Sequence, residues 1–229
     1  VVSAAYARQA AFVERALANG STQGGWKIGL TSERMQRMCN IDSPIAGVIF
    51  GERIHPSGAM LSAARYGRLA LEFEIGLILG ADLPARDVPY TPGDVGAAIA
   101  AICPAIEIVD DHGADYAALD LHALIADNSW NAGAVCGAST TEFPDLATLE
   151  GTVYRDGAVF DRGSGRDVLG HPLNVLAWLA NHALAHGKTL RAGELVMTGN
   201  LVTTKFVTPG ERYAFELTGI GRVETAIVP

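Results

Sequence analysis

Two stretches of this chain place carboxylates where a strand would carry apolar side chains. In Leu71-Glu72-Phe73-Glu74-Ile75-Gly76-Leu77-Ile78-Leu79 the side chains of a strand alternate between faces. Glu72 and Glu74 therefore point one way, and Leu71, Phe73 and Ile75 the other. A half-solvated strand with its polar residues outward is the competing reading, but its wet face would have to continue through Gly76 and Ile78. A second apolar segment repeats the oddity, for Ile106-Glu107-Ile108-Val109 embeds a lone Glu. An ionised carboxylate buried without a partner is costly and tends to take up a proton. Three carboxylates on two buried strands therefore call for a shared cation. No His or Cys sits at the matching positions, and oxygen-only ligation favours a hard ion, Mg2+ first, with Mn2+ or Ca2+ as alternatives.

Lys27 interrupts the apolar run Trp26-Lys27-Ile28-Gly29-Leu30. One reading is a snorkelling lysine with a buried stem and a wet ammonium. The other is an ammonium pressed into an apolar wall near a metal, where desolvation and the cation would both lower its pKa toward the range useful for proton transfer.

These side chains need elements to hold them. Residues 4–19 read as an amphipathic helix, with Ala5, Phe12, Val13, Ala16 and Leu17 near helical spacing and Gly20 at its stop. Trp26–Leu30 reads as a strand, and Thr31 or Ser32 caps a short helix reaching about Met38. The Gly- and Pro-rich stretch from Ile41 to Met60 is expected to be a loop or short hairpin. Leu71–Leu79 and Ala105–Val109 read as strands. Between them, Thr91-Pro92-Gly93-Asp94 opens a helix expected to run to about Ile102. A helical piece near Ala117–Ile125 precedes Asp127-Asn128. His171-Pro172 begins the clearest helix, ending at Gly187, and strands follow at Leu195–Thr198, Val202–Val207, Tyr213–Leu217 and Arg222–Ile227. With no regular βα alternation in the last third, the class is α+β with a mainly β core. One domain is expected over 1–229, with a helical segment at about 1–20 and a β-rich core at about 26–229.

Of the 229 residues 49% are apolar, enough to bury a core without staples. Seventeen Lys and Arg against 25 Asp and Glu give a net charge of −8, and with no basic cluster the chain is a poor grip for nucleic acid. The longest clean apolar stretch, Ala97–Ile106, is too short for a bilayer and contains Pro104. Three unevenly spaced cysteines and no basic-then-apolar leader pattern lead to the expectation of a cytoplasmic location. His182 and His186 stand i, i+4 on a helix, but no Glu follows His182, and a solvated face near a helix end is the expectation. Gly163-Ser164-Gly165 reads as a flexible turn.

The run Lys27-Ile28-Gly29-Leu30-Thr31-Ser32, the pair Glu72-x-Glu74, the segment Pro104–Asp110 and Asp127-Asn128 occur in the order found in the 2-keto-4-pentenoate hydratase / 4-oxalocrotonate decarboxylase family. That family lies within the fumarylacetoacetate hydrolase-like superfamily. Gly170-His171-Pro172-Leu173 and Gly193-Glu194 through Thr198-Gly199 match as well, so the resemblance covers essentially the whole chain from Tyr6. It implies the superfamily's mixed β-roll with flanking helices, with Glu72, Glu74 and Glu107 as Mg2+ ligands and Lys27 as the catalytic lysine. The implied substrates are short 2-hydroxy-2,4-dienoates or 2-oxo acids from aromatic meta-cleavage. Hydration is the first expectation. Decarboxylation, or a non-catalytic role binding small 2-oxo acids or a partner enzyme, is the alternative. A homo-oligomer is implied, as is association with a pathway enzyme. Thr198 and Asn200, at a strand end, are the candidate substrate-binding residues. In two places the chain departs from the pattern. Family hydratases commonly carry an acid just after a proline downstream of the lysine, where this chain has Pro44-Ile45-Ala46, and the usual Thr-Gly-Ser/Thr is here Thr198-Gly199-Asn200.

Overall fold

A computed structural model describes residues 2–229, apart from the side chains of Glu33 and Met38; Val1 lies outside it. The chain opens with α1 (Val2–Ala18), β1 (Gln23–Gly29), α2 (Glu33–Met38), β2 (Ile45–Phe50), β3 (Ile54–Pro56) and β4 (Ala59–Ser62). Next come β5 (Leu69–Leu79), α3 (Pro92–Gly96), β6 (Ile99–Asp110), α4 (Leu121–Ala126) and β7 (Asn131–Cys136). The remainder is β8 (Glu150–Arg155), β9 (Ala158–Ser164), α5 (Pro172–Ala185), β10 (Leu195–Met197), β11 (Lys205–Phe206), β12 (Arg212–Leu217) and β13 (Gly221–Val228).

The strands form two sheets. The larger runs β2-β1-β10-β5-β6-β7-β3, with β11 also paired to β5, and the smaller runs β4-β13-β12-β8-β9. At the centre of the larger sheet β5 and β6 pair antiparallel from Leu69↔Asp110 to Leu79↔Ile99, with Glu72 directly opposite Glu107. The two faces of β5 have different company. Leu71, Phe73, Ile75 and Leu77 enter one apolar cluster shared with Tyr213 and Phe215 of the smaller sheet, while Glu72 and Glu74 face away from it. The same alternation on β1 sends Trp26 and Ile28 into that cluster and Lys27 to the other side.

The capping signals hold. The His171 ring accepts from the Leu173 N–H to start α5, and Thr91 forms a capping box with Asp94 at α3. The helix expected to continue to Ile102, however, stops at Gly96, because Ile99–Ile102 pair with β5 instead; non-local pairing of a fully buried strand outweighs the local helical pattern. The stretch from Ile41 to Met60 is neither a loop nor a short hairpin, since β2 is wholly buried and pairs along β1, while β3 pairs with β7 and β4 with β13. Of Val202–Val207 only Lys205–Phe206 is strand. The inward stripe of α1 is Ala5, Tyr6, Gln9 and Val13, and Phe12 and Leu17 are exposed. Gly163-Ser164-Gly165 is packed rather than flexible, for a Cβ on Gly165 would lie 1.9 Å from the Leu146 carbonyl oxygen.

The turn that joins α4 to β7 has an unusual backbone. Asn128, Ser129 and Trp130 all have positive φ (50°, 52° and 59°), three left-handed non-glycine residues in succession, a conformation that surrounding contacts must enforce. Asn128 supplies them by pairing with Val48 as another strand would, its Oδ1 accepting from the Val48 N–H and its Nδ2 donating to the Val48 carbonyl, both at 2.8 Å. Gly47 allows the approach, because a Cβ there would sit 2.6 Å from the Asn128 carbonyl oxygen. Replacing Gly47 with Ala should therefore destabilise the protein by about 1–3 kcal/mol. Asn128→Ala, which leaves both Val48 groups unpaired, should cost about the same or more. Chemical denaturation checks this, and wild-type midpoints for both variants would show that the turn is held by other means.

Candidate metal centre and substrate pocket

The register that sets Glu72 opposite Glu107 also puts Glu74 two residues along on the same face. Each of the three carboxylates offers an oxygen lying within 4.8 Å of the others. Glu74 and Glu107 are fully buried, and Glu72 is half-buried. Each carboxylate has one oxygen held by the protein. Thr204 Oγ1 donates to Glu72 Oε1 at 2.5 Å, and the Gly199 N–H to Glu74 Oε2 at 2.7 Å. Asn131 Nδ2 donates to Glu107 Oε1 at 2.9 Å, and Lys27 Nζ stands 3.3 Å from that same oxygen. The other oxygens of Glu74 and Glu107 are buried with no partner at all. A buried acceptor without a donor is expensive, and two such oxygens within reach of one cation are what a metal centre presents before it is filled. The donor set, all carboxylate oxygen, fits a hard divalent ion.

Electrostatics point the same way. Burial raises the Glu107 carboxyl to about 7 despite the nearby Lys27 ammonium. Burial and the two neighbouring carboxylates raise Glu74 well above the carboxylate range. The Lys27 ammonium does not follow the expectation of a lowered pKa. Burial does press it downward, but the charges of Glu107, Glu72 and Glu74 outweigh this and lift it above its ordinary value.

Lys27 Nζ also donates to the Ser129 carbonyl at 3.2 Å, so the left-handed turn aims a backbone dipole at the ammonium and then delivers Asn131 to Glu107. Beyond the ammonium a pocket of about 70 Å³ opens, with Lys27, Glu72 and Thr204 at one end. Leu30, Met35, Ile45, Val109, Leu119, Leu124 and Trp130 supply most of the rest. The residue after Pro44, Ile45, is thus part of the wall, whereas Asp42 is exposed.

Thr198 and Asn200 flank the Gly199 N–H that holds Glu74, so they stand beside the carboxylates, though neither lines the pocket. Thr198 Oγ1 donates to the Ile75 carbonyl, and Asn200 Oδ1 accepts from the Phe73 and Val202 N–H groups. Gly199 has φ +106° and a Cβ there would collide with Thr31 Oγ1 at 2.2 Å, so only glycine lets this loop reach Glu74. Asp110 caps the Gly67 and Arg68 N–H groups, and Asp111 binds the Arg68 guanidinium; neither faces Lys27. His182 lies half-buried against Trp178 and Tyr6 instead of on a solvated face, which lowers its pKa to about 4. The residues that hold the carboxylates, Asn131 and Thr204, were not legible in the sequence. Asn131 follows Asp127-Asn128 closely, but nothing marked Thr204, which reaches Glu72 across 132 positions.

Residues 24–228 match the family described as fumarylacetoacetate (FAA) hydrolase C-terminal. The chain belongs to this family. Among its relatives, the 2-keto-4-pentenoate hydratase of Burkholderia vietnamiensis is 35% identical over 207 residues, covering 90% of this chain and 78% of the relative. The 4-oxalocrotonate decarboxylase of Pseudomonas putida G7, solved with magnesium and adipate, superposes with a TM-score of 0.93 at 29% identity over 100% of this chain and 86% of that one. The same decarboxylase with calcium and acetate gives 0.92 at the same identity and coverage. The α+β class and mixed β-roll with flanking helices expected from the sequence are therefore the architecture of the family.

Two testable outcomes arise from this geometry. Asn131→Leu and Thr204→Val each remove a donor that fixes a carboxylate, and each should weaken Mg2+ binding by about 10–100-fold in calorimetry. The second outcome concerns pH. In the folded, ion-free protein Glu74 and Glu107 keep their protons above the ordinary 4.5, whereas the unfolded chain releases them near it. The folded state then binds more protons between the two values, so the Glu107 contribution to stability falls as pH rises from about 4.5 to about 7 and is level above that. Melting temperature in EDTA should therefore drop over this range relative to Glu107→Gln, a comparison in which the opposite titration of His182 cancels, and saturating Mg2+ should abolish the drop. A melting temperature that does not fall relative to Glu107→Gln between about pH 4.5 and about pH 7 would overturn the assignment.

Proposed function

We propose that this chain, acting as one catalytic domain over 1–229, is a Mg2+-dependent lyase. Its substrates on this reading are short 2-hydroxy-2,4-dienoates and their 2-oxo tautomers, handled in the manner of a 2-keto-4-pentenoate hydratase. The observation that carries the reading is the pair of orphaned carboxylate oxygens on Glu74 and Glu107 beside a pocket that contains Lys27. Identity to named hydratases over most of the chain and close superposition on a magnesium-bound decarboxylase support it.

Glu72, Glu74 and Glu107 would hold the ion, with Mn2+ or Ca2+ able to take the place of Mg2+. When bound, it supplies Lewis-acid stabilisation of the negative charge that develops on the substrate's C2 oxygen. Lys27 is the catalytic residue. Lying 3.3 Å from Glu107 and lining the pocket, it donates a proton to the substrate or pairs with the substrate's C1 carboxylate. The apolar wall limits water around the reacting carbons. Thr198 and Asn200 are the substrate-binding residues of this reading, acting through the loop that they form around the Gly199 N–H on Glu74, since neither side chain lines the pocket.

A second reading is decarboxylation of a 4-oxalocrotonate-type substrate. It draws on Ile45, since the position where family hydratases place an acid carries an aliphatic side chain and Glu72 is the one carboxylate among the described residues lining the pocket; the same apolar wall counts against the second carboxylate such a substrate brings, so hydration stays first. The wider reading includes a homo-oligomer associating with a pathway enzyme in the cytoplasm, consistent with three free cysteines; among the described residues no helix is long and apolar enough to cross a membrane.

Purified protein should consume 2-hydroxypenta-2,4-dienoate, read as loss of its ultraviolet absorbance, with EDTA stopping the reaction and Mg2+ restoring it. CO2 release from 4-oxalocrotonate without dienoate loss would replace hydration by decarboxylation. Bound Mg2+ with neither activity would leave a non-catalytic binder of small 2-oxo acids. Lys27→Ala should lower turnover by at least about 100-fold while Mg2+ still binds, and a near-normal rate would remove Lys27 from the mechanism.

A further inference from the structure

The far end of the pocket bears on what the substrate carries at its own far end. Away from Lys27 and Glu72 the wall is Leu30, Met35, Ile45, Leu119, Leu124 and Trp130, none of which carries a positive charge, the Trp130 indole N–H being a neutral donor. Tyr116 also lines the pocket, but its hydroxyl donates to Asp111 Oδ2 at 2.9 Å. The Arg68 guanidinium, which shares Asp111 with Tyr116, is already committed. Its Nε and Nη2 donate to the two Asp111 oxygens at 2.8 and 2.6 Å, Nη2 donates again to the Ala114 carbonyl, and its carbon lies 4.7 Å from the Phe206 ring centroid. The Asp111 side chain is fully buried, so withdrawing Arg68 would strand a carboxylate. Arg34 and Arg37 of α2 are exposed and do not line the pocket, and Lys27 stands against Glu107 at the other end.

We propose that the apolar far wall makes this chain selective for 2-oxo and 2-hydroxydienoic acids with a single carboxylate and an uncharged far end, and that it rejects the corresponding dicarboxylates. The inference rests on the functional reading above and adds to it the nature of the distal group. A second carboxylate entering the pocket sheds its water against a mostly hydrocarbon wall and finds no cation there in return, so the dicarboxylate loses binding that the monocarboxylate keeps. Met35, Leu119 and Leu124 are the specificity-determining residues. They come from the α2 and α4 regions, outside the strands that carry the ion ligands, so the far wall can differ without disturbing the metal end.

Two saturated, non-reacting acids of equal chain length test this. 2-Oxohexanoate and 2-oxohexanedioate differ only in a terminal methyl against a terminal carboxylate, and calorimetry on the Mg2+-loaded protein reads their affinities without any turnover. The monoacid should bind at least about 100-fold more tightly. Leu119→Arg, a change at a partly exposed wall position, should narrow that ratio by at least about tenfold while Mg2+ binding is unchanged. Equal affinity for the two acids, or tighter binding of the diacid, overturns the selectivity and leaves the functional reading standing. An unchanged ratio in Leu119→Arg overturns the role given to the wall. Binding of Mg2+ with no binding of either acid overturns the functional reading, and the selectivity with it.

Discussion

Three carboxylates held out of water with too few donors are the constraint around which the rest of the molecule is arranged. The protein supplies one principal donor to each of Glu72, Glu74 and Glu107 and stops there, leaving two oxygens with nothing to bind. The formal charges show why such an arrangement can persist. Three carboxylates and one ammonium leave two negative charges in a buried volume, and one divalent cation cancels them. In the ion's absence protons do the same work less completely, which is why burial raises Glu74 and Glu107 so far.

Much of the surrounding structure brings those few donors to their places. Asn128 holds the edge of β2 so that three left-handed residues can be accommodated, and these present the Ser129 carbonyl to Lys27 and Asn131 to Glu107. On the opposite side Gly199 brings its N–H to Glu74 by a close approach to Thr31 that no side chain would permit. The run of three left-handed residues and the close approach at Gly199 lie in these two loops, while β5 and β6 pair without a register shift from Leu69 to Ile78. That division suits a site whose ligands sit on rigid strands and whose orienting groups come from turns.

Legibility in the sequence followed the same division. Glu72, Glu74, Glu107 and Lys27 stood out because each contradicts an apolar strand, and a period of two is enough to put the first two on one face. Asn131 and Thr204 did not, because their meaning depends on pairing across 24 and 132 positions. The helix expected over 97–102 fails for a similar cause, since those residues satisfy a helical pattern locally and are claimed by β5 through contacts the local pattern cannot reveal. The direction of the Lys27 shift was also hidden. Sequence shows that a lysine is buried, whereas the sign of its shift depends on how many carboxylates surround it.

The two ends of the pocket answer different chemical questions. The polar end fixes where negative charge accumulates during reaction, and that requirement is shared by hydration and by loss of CO2, because both pass charge to the same substrate oxygen. It cannot separate them. The far wall can, because decarboxylation needs a substrate that brings a second carboxylate into the pocket, while hydration of a short dienoate needs a proton at the uncharged terminal carbon and a water at the carbon before it. A wall of Leu30, Met35, Ile45, Leu119, Leu124 and Trp130 offers no cation to the first, and to the second it offers room with little polar guidance. With the lining carboxylate already at the metal end, the groups left to orient an attacking water are the Lys27 ammonium and the oxygens around it. Any hydration in this pocket must therefore be directed from the ion's side of the substrate.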